Sequence, residues 1–426
     1  MYTQRLFSRR QFLGQAAAGT AAAAVGPLII PACARAADGA TAPNARVQVG
    51  FIGVGRRAQQ LMGLPEDAQI VAASDVNRKR LEALKAGKGK DWRIYDDYRE
   101  MLAAPDIDAV VIATPDHWHA LNVVHAMQAG KDVYVEKPMT LTIREGQIMV
   151  ETARKHQRIC QVGSQQRSTA ENQAAAELVK SGRIGKVEVV HGANYPSPWE
   201  CDLPEQPLPE RLNWDVWCGQ TEPRPYHIDL YLPRAEGRTY PDGRPYGWIS
   251  YRPYSGGEMT GWGAHGLDVI QWALGMDNSG PVEVWAEGEG LKAPVSFRYA
   301  SGTVVHLDGK GPGGGALFEG TDGTLWIDRG EYKLKPKSRR AGKSESDNGP
   351  ENTYGHLENW IRCVRSREQP AANVEIGHRS TTMCHLGNIA RWTGRKLQWD
   401  PEKEEFVNDP DANSYLQRTM RAPYVL

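Results

Sequence analysis

Short apolar runs alternate with polar, helix-forming stretches through the first third of the chain. Val47 to Ile52, Ile70 to Ser74, Ala109 to Ala113, Asp132 to Val135 and Cys160 to Val162 are runs of three to six residues dominated by strand formers, too short for helices and lacking the alternation of a half-solvated strand. Helical stretches lie between or beside them at Leu81 to Lys85, Tyr98 to Ala103, Asp116 to Ala129 and Ile143 to His156, with Asp116 as the expected N-cap of its helix and Gly130 at that helix's end. Strands buried on both faces and separated by helices predict a parallel sheet.

The texture changes from about Gln165. Val187 to Tyr195, Val282 to Gly288, Val295 to Tyr299, Thr303 to Leu307, Ala316 to Glu319 and Thr324 to Ile327 read as strands, several joined by glycine-containing turns such as Ala300-Ser301-Gly302 and Asp322-Gly323. An open, mainly antiparallel sheet is predicted. Two late helical patterns, Leu357 to Arg365 and Gly377 to Trp392, are expected to pack on that sheet, and the polar, aperiodic stretch Lys335 to Asn352 is expected to be a mobile loop. The fold class is α/β: a parallel-sheet domain over 47–164, then an α/β domain over 165–426.

What precedes Val47 reads as a processing segment. Ser8-Arg9-Arg10-Gln11-Phe12-Leu13 is followed by an Ala- and Gly-rich apolar run to about Ile30 and a small-x-small site at Ala34-Arg35-Ala36, the pattern of a twin-arginine export signal over 1–36. Residues 37–46 form a linker. A run so rich in Ala and Gly is poor hydrocarbon and lacks a basic stop-transfer flank, which disfavours a membrane anchor. Lipoprotein anchoring at Cys33 ranks below export to the periplasm or the outside. No later segment has the apolar length to span a bilayer.

Lys plus Arg number 51, equal to Asp plus Glu, so no global field draws in nucleic acid or an anionic membrane, and a small neutral substrate is the simpler expectation. Five cysteines follow Cys33, without a CxxC pair. That argues against a zinc ribbon or redox dithiol, and export of a chain already folded in a reducing compartment favours buried thiols over a Cys201–Cys218 disulfide. Thirteen Trp and sixteen Tyr against six Phe favour rings with a polar handle, suited to wet binding surfaces.

The chemistry begins at Gly53-Val54-Gly55-Arg56-Arg57-Ala58, directly after the first strand. A G-x-G-x-x-A turn lets backbone approach a pyrophosphate at a helix start, and Asp75, at the end of the second strand, is placed to bind a ribose diol. This reads as a Rossmann dinucleotide site that favours NAD. NADP stays open because Arg56, Arg57 or Arg78 could neutralise an extra phosphate. His117 and His119, in His-x-His spacing without companion ligands, do not suggest a metal.

Ala109 to Pro138 (AVVIATPDHWHALNVVHAMQAGKDVYVEKP), with the glycine turn upstream and Gly256 to Asp268 (GGEMTGWGAHGLD) downstream, resembles the Gfo/Idh/MocA family of oxidoreductases. The resemblance implies a Rossmann domain joined to an α/β domain whose open sheet floors the active site and often forms a homo-oligomer. It places Gly53, Gly55, Arg56, Asp75, Thr114, Pro115, His119, Glu136, Lys137 and Gln166 at the cofactor. By the resemblance Lys137 and His265 would be catalytic and Arg167 would lie where the family makes substrate contacts; Trp199 and Trp262 are expected to stack on a sugar ring, and Tyr195, His265 and Asp268 complete the carbohydrate-facing set. One departure stands out: the family pattern has an aspartate four residues before the histidine, where this chain has Gly261. Tyr195, Tyr251, Tyr254 and Glu258 are the candidates to replace it.

An exported dehydrogenase lacks a free nicotinamide supply, so a tightly bound, recycled cofactor is expected. The leading function is NAD(P)-dependent oxidation of a sugar or polyol. The alternatives are glycoside cleavage or elimination through transient oxidation, and a non-catalytic sugar-binding module.

Overall fold

The computed structural model describes residues 46–234, 239, 246–338, 343–350 and 352–426. The export-signal segment, Cys33 and most of the linker lie outside the described residues. No described helix is long and apolar enough to cross a membrane.

Six strands build the first sheet: β1 (Val47–Ile52), β2 (Ala68–Ser74), β3 (Arg93–Tyr95), β4 (Ala109–Ile112), β5 (Asp132–Val135) and β6 (Cys160–Val162), all parallel, in the order β3-β2-β1-β4-β5-β6. The order reverses between β1 and β4, which opens a crevice at the carboxyl ends of the strands. Three helices matter for that crevice: α1 (Arg56–Gln60), α2 (Asp116–Gln128) and α3 (Ile143–His156). A reciprocal pair of bonds between Thr142 and Glu145 caps α3, as a hydroxyl followed three residues later by a glutamate predicts. The N-cap of α2 is Pro115 rather than Asp116, which stands one residue inside the helix, buried.

The second sheet has ten strands: β7 (Val187–Gly192), β8 (Glu283–Ala286), β9 (Val295–Arg298), β10 (Val304–Leu307), β11 (Ala316–Gly320), β12 (Gly323–Asp328), β13 (Glu331–Pro336), β14 (Glu345–Asn348), β15 (Leu397–Asp400) and β16 (Glu405–Phe406). Among the described strands of this sheet only β7 and β10 pair in parallel. Helices α4 (Ala170–Lys180), α5 (Gly263–Ala273) and α7 (Val374–Thr393) cover one face, α6 (Thr353–Ser366) lying before α7 in the chain. Their side chains share a core with Val190, Phe297 and Phe318, where each fully buried large side chain contributes about 1.5–3 kcal/mol.

Two sequence expectations are corrected. α6 packs on the first sheet, with Leu357, Trp360 and Ile361 among Val49, Phe51 and Tyr134. Its amphipathic period specifies a helix with one apolar face but not which sheet that face covers. Within Lys335 to Asn352, Glu345–Asn348 forms an exposed edge strand paired with β13; a charged strand on a sheet edge carries no hydrophobic alternation to reveal it. The five cysteines of the two domains are buried free thiols.

Three enclosed imidazoles give an acid limit. Burial lowers His117 from 6.5 to about 3, and His356 and His385 to about 4. Between pH 6.5 and 4 the unfolded chain binds protons at these positions and the native chain does not, so stability falls with pH by about 1.4 kcal/mol per unit per histidine. Urea midpoints measured from pH 7 to pH 4.5 are expected to drop steadily; a flat profile would contradict the neutral, buried state of these rings.

Candidate active site in the cleft between the sheets

A cleft of about 920 Å³ runs along the carboxyl ends of β1, β2, β4 and β5 and reaches the start of α5. At one end the chain turns from β1 into α1. Gly53 sits at φ +81, and a methyl there would lie 3.0 Å from the Ala113 carbonyl oxygen, so the turn admits only glycine without strain. A methyl on Gly55 would meet nothing within 4 Å, so backbone there is open to a bulky group. Asp75 accepts the backbone N–H groups of Val54 and Asn77, both at 2.8 Å, which fixes its carboxylate at the cleft wall. Arg80 lies 3.8 Å from it. Of the three arginines considered for a second phosphate, Arg78 is held by Glu82 and Asp96, and Arg56 and Arg57 both line the cleft, Arg57 pairing with Glu136 at 2.8 Å. An open glycine turn, an anchored acid and room for an extended ligand fit an adenine dinucleotide.

A segment of the second domain closes this end. Asn213 N–H donates to the Val76 carbonyl at 2.9 Å, Arg78 N–H to the Arg211 carbonyl at 3.0 Å, and the Asn77 amide to the Tyr231 hydroxyl at 2.9 Å. Trp214 and Trp217 stack with centroids 4.4 Å apart, and Trp217 and Tyr231 face the cleft.

At the other end β5 delivers Glu136 and Lys137. The half-buried Lys137 ammonium donates to the Gly261 carbonyl at 2.7 Å, joining the two domains. Enclosure lowers its pKa, against the raising effects of Glu136 and Asp116, so it releases a proton more readily than a surface lysine. Both ring nitrogens of His119 face carbonyl oxygens, Pro138 at 2.7 Å and Thr114 at 3.0 Å, tying the start of α2 to two strand ends. Asp116 accepts the Ser255 hydroxyl at 2.7 Å. Burial pushes its pKa up, and His119 and that hydroxyl partly oppose the rise.

His265 stands in the first turn of α5. Burial and then the positive charges of Lys137, Arg329, Arg57 and Arg234 hold its pKa well below 6.5, so at neutral pH it is an uncharged imidazole. Among the described residues nothing hydrogen-bonds its ring. Beside it Trp262 is 40% exposed, with the Arg329 guanidinium 5.4 Å from its ring centroid. Such a ring offers a flat face to the apolar side of a sugar.

Gly53, Gly55, Arg56, Asp75, Thr114, Pro115, His119, Glu136, Lys137, Trp262 and His265 thus share one cleft. The other expected residues do not line it. Gln166 donates its amide to the Gly314 carbonyl at 2.7 Å; its neighbour Gln165 faces the cleft instead and bonds Glu136 at 3.0 Å. Arg167 and Asp268 form a buried ion pair at 2.9 Å away from the cleft, and Asp268 therefore does not orient His265. Tyr195 donates to the Gly313 carbonyl at 2.8 Å. Trp199 packs edge-on against Tyr251 in a buried cluster. Each of these side chains is polar or amphipathic and close in sequence to the site, but its partner comes from a distant segment. Sequence reading also missed cleft residues Arg234, Tyr231 and Arg329, which carry no local motif.

The fold and cleft define an NAD-binding oxidoreductase scaffold. Comparison agrees: the oxidoreductase family's NAD-binding Rossmann fold matches residues 47–164 and its C-terminal alpha/beta domain residues 168–426, and the chain belongs to the Gfo/Idh/MocA family. Similar proteins include a 1-carboxy-3-chloro-3,4-dihydroxycyclohexa-1,5-diene dehydrogenase of Comamonas testosteroni, 30% identical over 45% of this chain and 48% of that protein. An alpha-N-acetylgalactosaminidase of Shewanella oneidensis is 32% identical over 43% and 44%. The chain thus spans about half the length of these curated relatives. Among solved structures, aldose-aldose oxidoreductase from Caulobacter crescentus complexed with glycerol superimposes with a TM-score of 0.60 at 18% identity, over 83% of this chain and 99% of that one. WlbA dehydrogenase from Bordetella pertussis in complex with NADH and UDP-GlcNAcA gives 0.58 at 19%, over 83% and 98%.

Proposed function

We propose that the protein oxidises a carbohydrate hydroxyl with a nicotinamide cofactor it retains. The observation that carries this reading is the convergence of Lys137, from the first domain, and His265, from the second, at the end of a cleft whose other end is the glycine turn and Asp75. Bound NAD would supply the hydride acceptor. Lys137 would hold the substrate hydroxyl oxygen and stabilise the charge that develops on it, while the neutral imidazole of His265 accepts the hydroxyl proton. Trp262 would present its face to the ring. Asp75 favours NAD over NADP, because a carboxylate there opposes a second phosphate.

The twin-arginine segment supports export, and the second-domain segment over the cofactor end supports retention of the nucleotide. A retained cofactor has to be regenerated in place, by a second substrate or by return of the hydride to the same molecule. The similarity to the Shewanella galactosaminidase favours, as second reading, glycoside cleavage by transient oxidation. A homo-oligomer through the open face of the ten-stranded sheet is also expected, since Leu317, Trp326 and Trp285 are only half-buried there.

The test is to purify the exported protein natively, denature it and weigh any released nucleotide by mass spectrometry. NAD near one per chain supports the reading; a protein that neither carries nor binds nucleotide is better described as a binding module. Products then separate the two chemistries, since a free aglycone without net nucleotide reduction marks cleavage.

A further inference from the structure

The stretch Trp214 to Gln220 contains the short helix Trp214–Cys218, and its Val216 and Trp217 line the nucleotide end of the cleft. Its polar bonds run to two segments remote in sequence. One is the start of α2: the Trp217 carbonyl accepts His117 Nε2 at 2.8 Å and Trp118 Nε1 at 3.1 Å, and the Gln220 amide donates to the His117 carbonyl. Gly219, at φ +56, lies so close to the Trp118 ring that a methyl on it would be 2.5 Å from that ring. The other segment is Arg418 to Tyr424, which does not line the cleft itself. Arg421 makes four bonds to the cover: its N–H donates to the Gln220 carbonyl at 2.9 Å, Nε to the Gly219 carbonyl at 3.0 Å, Nη2 to the Asp215 carbonyl at 3.1 Å and Nη1 to the Asp215 carboxylate at 2.8 Å. Tyr424, buried, meets the cleft residue Trp118 edge-on with ring centroids 5.4 Å apart. Arg418 anchors the same segment, donating to the His117 carbonyl at 3.1 Å and to Glu145 at 2.9 Å.

We propose that Arg421 and Tyr424 are positioning residues for cofactor retention: they strap Trp214–Gln220 and Trp118 over the nucleotide end of the cleft, so that a bound dinucleotide leaves only when the strap opens. The cover needs such a fastening, because a helix of one turn is not stable by itself and its last carbonyls have no partners within it. Arg421 supplies those partners from a segment about two hundred residues away, acting as a side-chain cap on the helix's carboxyl end. The effect lies in the bonds to backbone carbonyls, since Asp215 is 61% exposed and an ion pair in water contributes little. Tyr424 completes the strap by packing on the one ring, Trp118, that touches both the cover and the cleft. Retention of the cofactor belongs to the proposed function, and this inference rests on it; the contact between strap and cover does not.

The test has two readouts on the full mature chain. Protein loaded with NAD is diluted and desalted at intervals, and the nucleotide still bound is weighed by mass spectrometry. Release is expected to be about tenfold faster in Arg421→Ala and in Tyr424→Ala, the order for losing a cluster of partly buried contacts. Tyr424→Phe keeps the ring against Trp118 and should restore retention. Arg395→Ala, which breaks only an exposed ion pair with Asp411, should stay within about twofold of wild type. The second readout is amide hydrogen exchange in the nucleotide-free chain. Peptides covering 214–220 should exchange faster in the two alanine variants while those of β11 and β12 do not change. Unchanged exchange over 214–220 overturns the strap, and faster exchange throughout the chain assigns these residues to general stability and overturns it as well. Faster exchange confined to 214–220 with unchanged release overturns the retention role. A wild type that binds no NAD sinks the proposed function instead, and the exchange measurement still decides whether the strap holds its cover.

Discussion

Replacing Lys137 with methionine is expected to lower turnover by about 10²- to 10³-fold, the range for losing one positioned donor aimed at charge that develops in the transition state. The stem is conserved in length, so packing changes little, and the structural cost is confined to the Gly261 carbonyl, which loses its 2.7 Å partner. An unpaired half-buried carbonyl costs about 1–3 kcal/mol, within what a folded two-domain chain tolerates. The variant should therefore remain folded and retain nucleotide while the chemistry fails. Lys137→Arg should not rescue it, since a planar guanidinium fork cannot occupy a point-charge site built for an ammonium. Steady-state rates on a carbohydrate identified with the wild type, set beside the nucleotide content of each variant, decide the matter. Turnover within a few-fold of wild type in the methionine variant would remove Lys137 from the reaction.

The second large effect is on stability. Arg167 and Asp268 are 3% and 4% exposed and meet at 2.9 Å, with Asp277 at 2.8 Å from the same guanidinium and the Ser380 hydroxyl donating to Asp268 at 2.6 Å. Asp268→Ala leaves a buried guanidinium with one partner, and losses of this kind cost about 3–5 kcal/mol. The urea midpoint should fall accordingly at unchanged slope. Arg167→Met combined with Asp268→Ala should recover much of the loss, because no fully buried charge remains uncompensated, Asp277 being 26% exposed and open to water. Turnover measured well below the denaturation midpoint should change little. If Asp268→Ala abolished activity in a protein as stable as wild type, Asp268 would belong to the reacting site after all.

That pair marks where sequence reading stopped. Arg167 and Asp268 flank residues of the cleft, but their side chains turn away from it to meet each other across about a hundred residues. Tyr195, a candidate to replace the family aspartate, and Trp199, a candidate to stack on a sugar, are expected at the substrate, yet one bonds a distant glycine carbonyl and the other packs on Tyr251. Gln165 and Gln166 are adjacent and chemically identical, and only the short 3₁₀ turn they occupy (Gln165–Ser168) decides which one faces Glu136.

The sequence by itself determined what depends on neighbours a few positions apart: the parallel sheet, read from apolar runs; the glycine turn, where positive φ and a close approach leave no room for a side chain; Asp75 at a strand end; and the placement of Lys137 and His265 at element boundaries. Tertiary structure alone decided what depends on packing between distant segments. It put α6 on the first sheet, made a salt bridge of Arg167 and Asp268, and set Arg421 against the Gly219 carbonyl. The physical reason is range. Backbone conformation and hydrophobic period are set within a turn or two of chain, whereas the partner of a buried charge or an amphipathic face is whichever segment the fold brings opposite it.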